Sequence, residues 1–306
     1  MSDNPTLQEL VDWLGKLLTV DRHGDNLFQG RPQRGGVGRV FGGQVIAQAL
    51  QAAQASIGSD GSDLKQCHSL HAYFLRGGKE GLPIDYHVEA DFDGRSFSNR
   101  RVVASQVEED GNRRPILNMT ASFQLPEEGL EHVDAEMPDV PAPEDLRSDM
   151  EVRREYVEQY GITGPARDVM LRPRPVDMRT SDKLHWMNSK PREPRAHSWF
   201  RAVAPLPDDE ALHRAVIAYA SDFTLLGTSA LPHGLSWMRG ELVGASLDHA
   251  IWFHRPARAD EWLLYATDSP WSGSGRGFNR GRIFNRSGEL VASVAQEGMI
   301  RRAKRD

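Results

Sequence analysis

The chain has a single cysteine, Cys67, among 306 residues. That excludes an internal disulfide framework and a zinc site built from cysteines, and it suits a reducing compartment. No apolar run is long enough to read as a membrane span. The longest uncharged stretch, residues 40–59, carries Gln44, Gln48, Gln51 and Gln54, amides that are costly in hydrocarbon. Basic excess is also lacking: 37 Lys and Arg stand against 43 Asp and Glu, a net charge of −6. A general nucleic-acid binder needs the opposite balance. Asp3, Glu9 and Asp12 precede any apolar run, so no signal peptide is expected. The terminal RRAKRD is not an S-K-L-type address, and a cytoplasmic protein is expected. No G-x-S-x-G nucleophile elbow occurs, which argues against serine acyl-enzyme chemistry on a hydrolase sheet.

What is present is a repeated order of elements. Leu7, Leu10, Val11, Leu14, Leu17 and Leu18 recur at helical spacing and predict an opening amphipathic helix. DNLFQGRP is a short strand, followed by a loop with Gly35, Gly36 and Gly38 and by a helix over 42–58. Four strands follow in SLHAYFLRGG, PIDYHVEADFDG, RSFSNRRVVASQ and PILNMTASFQ, separated by Gly and Asp. Residues 126–190 read as an acid- and proline-rich connector with one helix at SDMEVRREYVEQYG. The second half then repeats the first: a short strand SWFRAVAP, a helix over 211–231, and strands SLDHAIWFH, EWLLYATDSP, GFNRGRIFNR and LVASVAQEGMI. HAYFLR echoes HAIWFHR, and GRSFSNRRVV echoes GRGFNRGRIF, each about 180 residues apart. That period is too long for a solenoid. It implies an α+β chain of two like domains, 1–125 and 191–306, joined by the connector. In each, a curved antiparallel four-strand meander wraps one helix, and the two pair sheet edges and bury their helices together.

The segments VFGGQVIAQAL, HSLHAYFLRGG, ASFQ, SDFTLL, LPHG, SLDHAIWFHRP, EWLLY and SVAQEGMIR, in that order, resemble the acyl-CoA thioesterase II family. The resemblance implies a tandem, or double, hot-dog fold. It also implies hydrolysis of medium- or long-chain fatty acyl-CoA to free fatty acid and CoA, with no cofactor.

On the residues alone, Asp222 lies at the edge of the apolar stripe formed by Leu212, Val216, Tyr219, Phe223 and Leu226. A carboxylate is almost never fully buried unless paired, and an aspartate that caps a helix break or reaches solvent is the plainer reading. The resemblance assigns it the catalytic aspartate's role, as general base or orienter of the attacking water. Ser246, at the start of SLDHAIWFH, stands where the family has threonine; either hydroxyl can hold a water. Gln296, in SVAQEGMI, matches the family's glutamine, and otherwise reads as a cross-strand amide. Arg276 and Phe278, in the Gly-rich segment 271–282, are candidate substrate contacts, since arginine matches the geometry of the CoA phosphates. A glycine hairpin with solvated arginines is the plainer reading. His68 and His71, and His249 and His254, are separated by odd numbers of residues. On regular strands they face opposite ways, so no metal is expected.

Two other functions fit the same fold: an enoyl-CoA hydratase or dehydratase using an Asp–His pair with His249 or His254, and a non-enzymatic acyl-CoA-binding protein. Fatty acyl-CoA is the expected partner in every case. Neither nucleic acid nor membrane insertion is expected, and a homodimer or higher homo-oligomer fits exposed sheet edges.

Overall fold

The computed structural model describes residues 5–33, 38–57, 65–181 and 190–303; the loop glycines Gly35 and Gly36 and the end of the basic tail lie outside them. Helix α1 (Leu7–Leu18) opens on a capping box between Thr6 and Glu9 and buries Leu10, Val11, Leu14, Leu17 and Leu18. Strands β1 (Val20–Arg22) and β2 (Leu27–Gly30) precede helix α2 (Gly42–Ala55). Strands β3 (Gln66–Phe74), β4 (Ile84–Asp93), β5 (Phe97–Val107) and β6 (Arg113–Gln124) complete the first half. Helices α3 (Asp149–Gln159) and α4 (Gly164–Leu171) and strand β7 (Val176–Thr180) lie in the connector. The second half holds β8 (Arg195–Ala202), α5 (Glu210–Ser221), α6 (Leu225–Thr228), β9 (Leu242–Ser246), β10 (Asp248–Phe253), β11 (Leu263–Gly273), β12 (Arg276–Phe284) and β13 (Leu290–Arg302).

All described strands form one antiparallel sheet in the order β1-β2-β4-β5-β6-β3-β10-β13-β12-β11-β8-β7, with β9 also on β13. The order is symmetric about the β3–β10 seam, where Leu70 faces Ile251 and Ala72 faces His249. The seam strands are the ones whose sequences echo each other, HAYFLR and HAIWFHR. Neither half is a simple meander. β3 crosses over to lie beside β6, and β10 beside β13, which frees both strands to meet at the seam. The sheet wraps α2 and α5, which pack on one another. One apolar core runs through both halves, including Val45, Ile46, Leu50, Val216, Ile217 and Ile251. This is the double hot-dog arrangement.

The glutamines of α2 tie the helix to its surroundings. Gln48 donates to Leu17 O and accepts from the Tyr86 hydroxyl (2.8 Å), Gln51 donates to Ala211 O (3.0 Å), and Gln54 to Lys65 O (2.9 Å). Buried amides are tolerated because each meets a partner. The connector is not loose either. Its Met137, Val140 and Leu146 cover Trp199, Trp262 and Phe284 on the outer face of the second half, and Pro141 O accepts from the Trp199 indole (3.0 Å). The connector's RPRPVD segment leads into β7, which adds the last strand of the sheet beside β8.

The long helix expected over 211–231 ends at Ser221. Asp222 is its C-cap (φ −86°, ψ −4°), and a short α6 follows. The Tyr265 hydroxyl takes the Ser221 carbonyl at 3.1 Å. Phe223 stacks on Phe41 (5.0 Å, 11°) and meets Tyr219 edge-on. The apolar period continues through the break, which is why the sequence conceals it.

Candidate active site

The break in the α5–α6 segment puts Asp222 beside the first turn of α2 from the other half. A Cβ on Gly42 would lie 2.6 Å from Asp222 Oδ2 and 2.9 Å from Phe74 Cζ, and one on Gly43 would lie 2.4 Å from Tyr219 O. The paired glycines are therefore required for close approach rather than for flexibility. Only 6% of the Asp222 side chain is exposed. Burial pushes its carboxyl up to about 6, against the opposing pull of hydrogen bonds from the Gln296 amide, the Gly43 backbone N–H and the Ser246 hydroxyl.

The structure brings Asp222, Ser246 and Gln296 together. Gln296 Nε2 donates to Asp222 Oδ1 at 2.8 Å, and Ser246 Oγ lies 3.4 Å from the same oxygen. Ser246 does not begin the SLDHAIWFH strand; it ends β9. β9 and β10 both pair with β13 and are separated at Leu247, where Asp248 Oδ1 takes the Glu297 N–H at 2.7 Å in place of a backbone carbonyl. This irregularity shifts the register, so Ser246 and His249, an odd number of residues apart, both face inward. Gln296 is fully buried opposite Asn279, and its Oε1 has no partner among the described residues.

His249 belongs to this cluster too. Its Nδ1 is 2.9 Å from Gln296 Nε2, its Nε2 is 2.9 Å from Ser221 Oγ, and it is wholly buried. Burial lowers it to about 3, so it is neutral near pH 7. The sequence offers His249 as a metal ligand or as the partner of an acid, not as the partner of Gln296. The adjacency of Ser221 to Asp222 was the available signal for a link through the helix end.

Two cavities, of about 350 and 550 Å³, share a wall made by Arg39, Val40, Gly42, Asp222 and Ser246. The smaller continues past Phe74, Ile116 and Arg76 to the backbone of Gly77 and Gly78. The larger is bounded by Phe41, Phe223, Leu226 and Trp237, with Glu80 at its wall.

Arg276 and Phe278 are not brought to this site. On β12, Asn279 faces inward beside Gln296, whereas Phe278 pairs with Glu297 on the outer face. Arg276 lies 3.4 Å from Glu297 and over Trp271. The glycines around them make the β11–β12 hairpin: Ser274 (φ 50°) and Gly275 (φ 73°) form a two-residue turn with positive φ at both positions. The histidine parity also fails once. A bulge between Cys67 and Ser69 turns His68 to the outer face, where it bonds Ser122 (2.8 Å), the same face as His71, which packs on Trp252. Each is engaged separately.

Comparisons with known proteins identify the family and the fold. A family model described as acyl-CoA thioesterase matches residues 175–299, and one described as acyl-CoA thioesterase N-terminal domain matches residues 31–124. The chain is 37% identical over 295 residues to acyl-CoA thioesterase 2 of Haemophilus influenzae, covering 96% of this chain and 99% of that one. It is 36% identical to acyl-coenzyme A thioesterase 8 of Homo sapiens, covering 93% and 88%. Acyl-CoA thioesterase II TesB2 from Mycobacterium marinum superposes with a TM-score of 0.73 at 37% identity, over 95% of this chain and 99% of that one. The dehydratase domain of PpsC from Mycobacterium tuberculosis, in complex with C12:1-CoA, shares the fold alone, at 10% identity and a TM-score of 0.53 over 94% and 99%. With both halves matched in order and relatives of this identity along nearly the whole chain, the protein belongs to the acyl-CoA thioesterase family.

Proposed function

We propose that the chain hydrolyses medium- to long-chain fatty acyl-CoA to free fatty acid and CoA by direct attack of water. The observation that carries this reading is a buried carboxyl, raised to about 6, where two cavities meet. A base of that strength is ionised at neutral pH yet still takes a proton. Water bound by Asp222 and Ser246 on the shared cavity wall, with Gln296 orienting the carboxylate from behind, gives a proton to Asp222 as its oxygen bonds to the thioester carbon. The Gly42 backbone N–H, at the N-terminus of α2 and without a partner among the described residues, faces the same wall as donor to the developing oxyanion. Collapse breaks the C–S bond, and the proton on Asp222 goes to the leaving thiolate.

Charge sorts the two cavities. Arg39 lies on the shared wall, but Arg76 lines the smaller alone, which has no carboxylate besides Asp222 and suits the phosphates of CoA. The larger has aromatic walls for the acyl chain and carries Glu80, which repels phosphate. The buried thiol of Cys67, free of any disulfide, supports a cytoplasmic setting. Tyr73 and Trp252, exposed on the outer face of the seam, support further self-association.

The hydratase reading needs an Asp–His pair. His249 Nδ1 is 3.9 Å from Asp222 Oδ1 and is directed at Gln296 instead. Free-thiol release from a panel of acyl-CoAs, run beside crotonyl-CoA hydration on wild type and Asp222→Asn, tests the proposal. Thiol release that the substitution abolishes in a folded protein supports it. Hydration without thiol release, or acyl-CoA binding without either reaction, contradicts it.

A further inference from the structure

Among the described residues, the hydrogen bonds behind Asp222 fix one proton arrangement. Ser221 Oγ lies 2.9 Å from Ala218 O, a carbonyl that can only accept, so the hydroxyl proton points there. Ser221 Oγ can then only accept from His249, 2.9 Å away, which places the ring proton on Nε2. The Nδ1 lone pair faces Gln296 Nε2 at 2.9 Å, and the second proton of that same amide nitrogen reaches Asp222 Oδ1 at 2.8 Å. The opposite arrangement, with Nδ1 protonated and the amide turned over, would set the Gln296 oxygen 2.8 Å from an ionised carboxylate oxygen. It would also give up the Ser221–Ala218 bond. Ser221, His249 and Gln296 are all buried to within 1%, so water does not compete for these bonds.

We infer that His249, held as the Nε2–H tautomer by Ser221, is a positioning residue. It accepts a hydrogen bond from one amide proton of Gln296, aims the other at Asp222, and so holds the amide against the carboxylate that faces the cavities. The imidazole touches neither substrate nor base. It acts through Gln296, as the partners of metal-bound or catalytic histidines act through theirs. This rests on the reading of Asp222 as the base.

The ionisable groups packed around Asp222 are His249 on β10, Tyr265 on β11 and Tyr219 on α5, with Arg39 on the cavity wall. Burial holds His249 neutral and both phenols protonated near neutral pH. The acid limb of kcat therefore reports Asp222.

The test is kcat and KM for acyl-CoA hydrolysis against pH in wild type, His249→Leu, His249→Asn and Ser221→Ala. The Asn side-chain oxygen stands where Nδ1 stood and can accept the same proton; Leu cannot. In His249→Leu, kcat should fall roughly 10–100-fold with KM nearly unchanged, and the acid limb should move upward, because Asp222 loses a hydrogen bond to its charged form. His249→Asn should recover most of kcat and the original limb. Ser221→Ala, which unlocks the tautomer with little change in shape, should move the limb the same way and keeps the test open if His249→Leu does not fold. A folded His249→Leu, or Ser221→Ala in its place, with the wild-type limb would overturn the inference, as would a His249→Asn no better than Leu. A wild type with no acid limb would instead remove the reading of Asp222 as base.

Discussion

Gln296 Nε2 lies 2.8 Å from Asp222 Oδ1 across 74 residues of sequence. One sits on the last strand and the other caps a helix of the same half. Their contact also involves the other half of the chain, because the Gly42–Gly43 turn of α2 closes over the carboxylate. The site therefore exists only where the two repeats meet.

Burying the Asp222 charge has a stability cost with a defined pH window. Its folded value is about 6, above the ordinary 3.8. Its contribution is therefore fully favourable below about pH 4 and is lost as pH rises through about 6. Relative to Asp222→Asn, wild type should lose up to about 3 kcal/mol between those limits, read by denaturant unfolding at a series of pH values. A difference that stays constant with pH would show the carboxyl to be unperturbed.

Gly42→Ala should be nearly inactive. The new Cβ would meet Asp222 Oδ2 at 2.6 Å and the Phe74 ring at 2.9 Å, so the carboxylate must move. A shift of this size costs on the order of 100-fold in kcat. Circular dichroism should show the fold retained and the melting temperature lowered. Wild-type kcat would mean the turn of α2 is not part of the site.

Arg76→Ala separates the two cavities. Its KM for acyl-CoA should rise several-fold, while the acyl-pantetheine thioester, which has no diphosphate or 3′-phosphate, should be hydrolysed as by wild type. Equal effects on both substrates would place the phosphates elsewhere.

Ser246→Ala should lower kcat roughly tenfold, since a hydrogen bond of about 1 kcal/mol and the hold on the water are both lost. Ser246→Thr, the family's residue, should match or exceed wild type. If alanine works as well as serine, the hydroxyl has no part in the reaction.

The sheet strands and the repeat were legible because alternation and matched segments such as HAYFLR and HAIWFHR are local signals. The order of strands was not. Nothing in β3 itself shows that it pairs with β6 rather than β4. Asp222 and Gln296 were nameable through the resemblance, but their contact depends on a helix break that the apolar spacing from Tyr219 to Leu226 hides. Ser246 and His249 were assigned to one regular strand, and the Asp248 side chain, by replacing a backbone acceptor, undoes that regularity. Arg276 and Phe278 drew attention through glycines whose use is a hairpin turn.

The most direct test of Asp222 as the base is the pH dependence of kcat for thiol release between about pH 4.5 and 8, in wild type and Asp222→Asn. Wild type should show an acid limb near 6, and the variant should retain at most about 1% of kcat with no limb. A flat wild-type profile, or an active Asp222→Asn with the same limb, would contradict it.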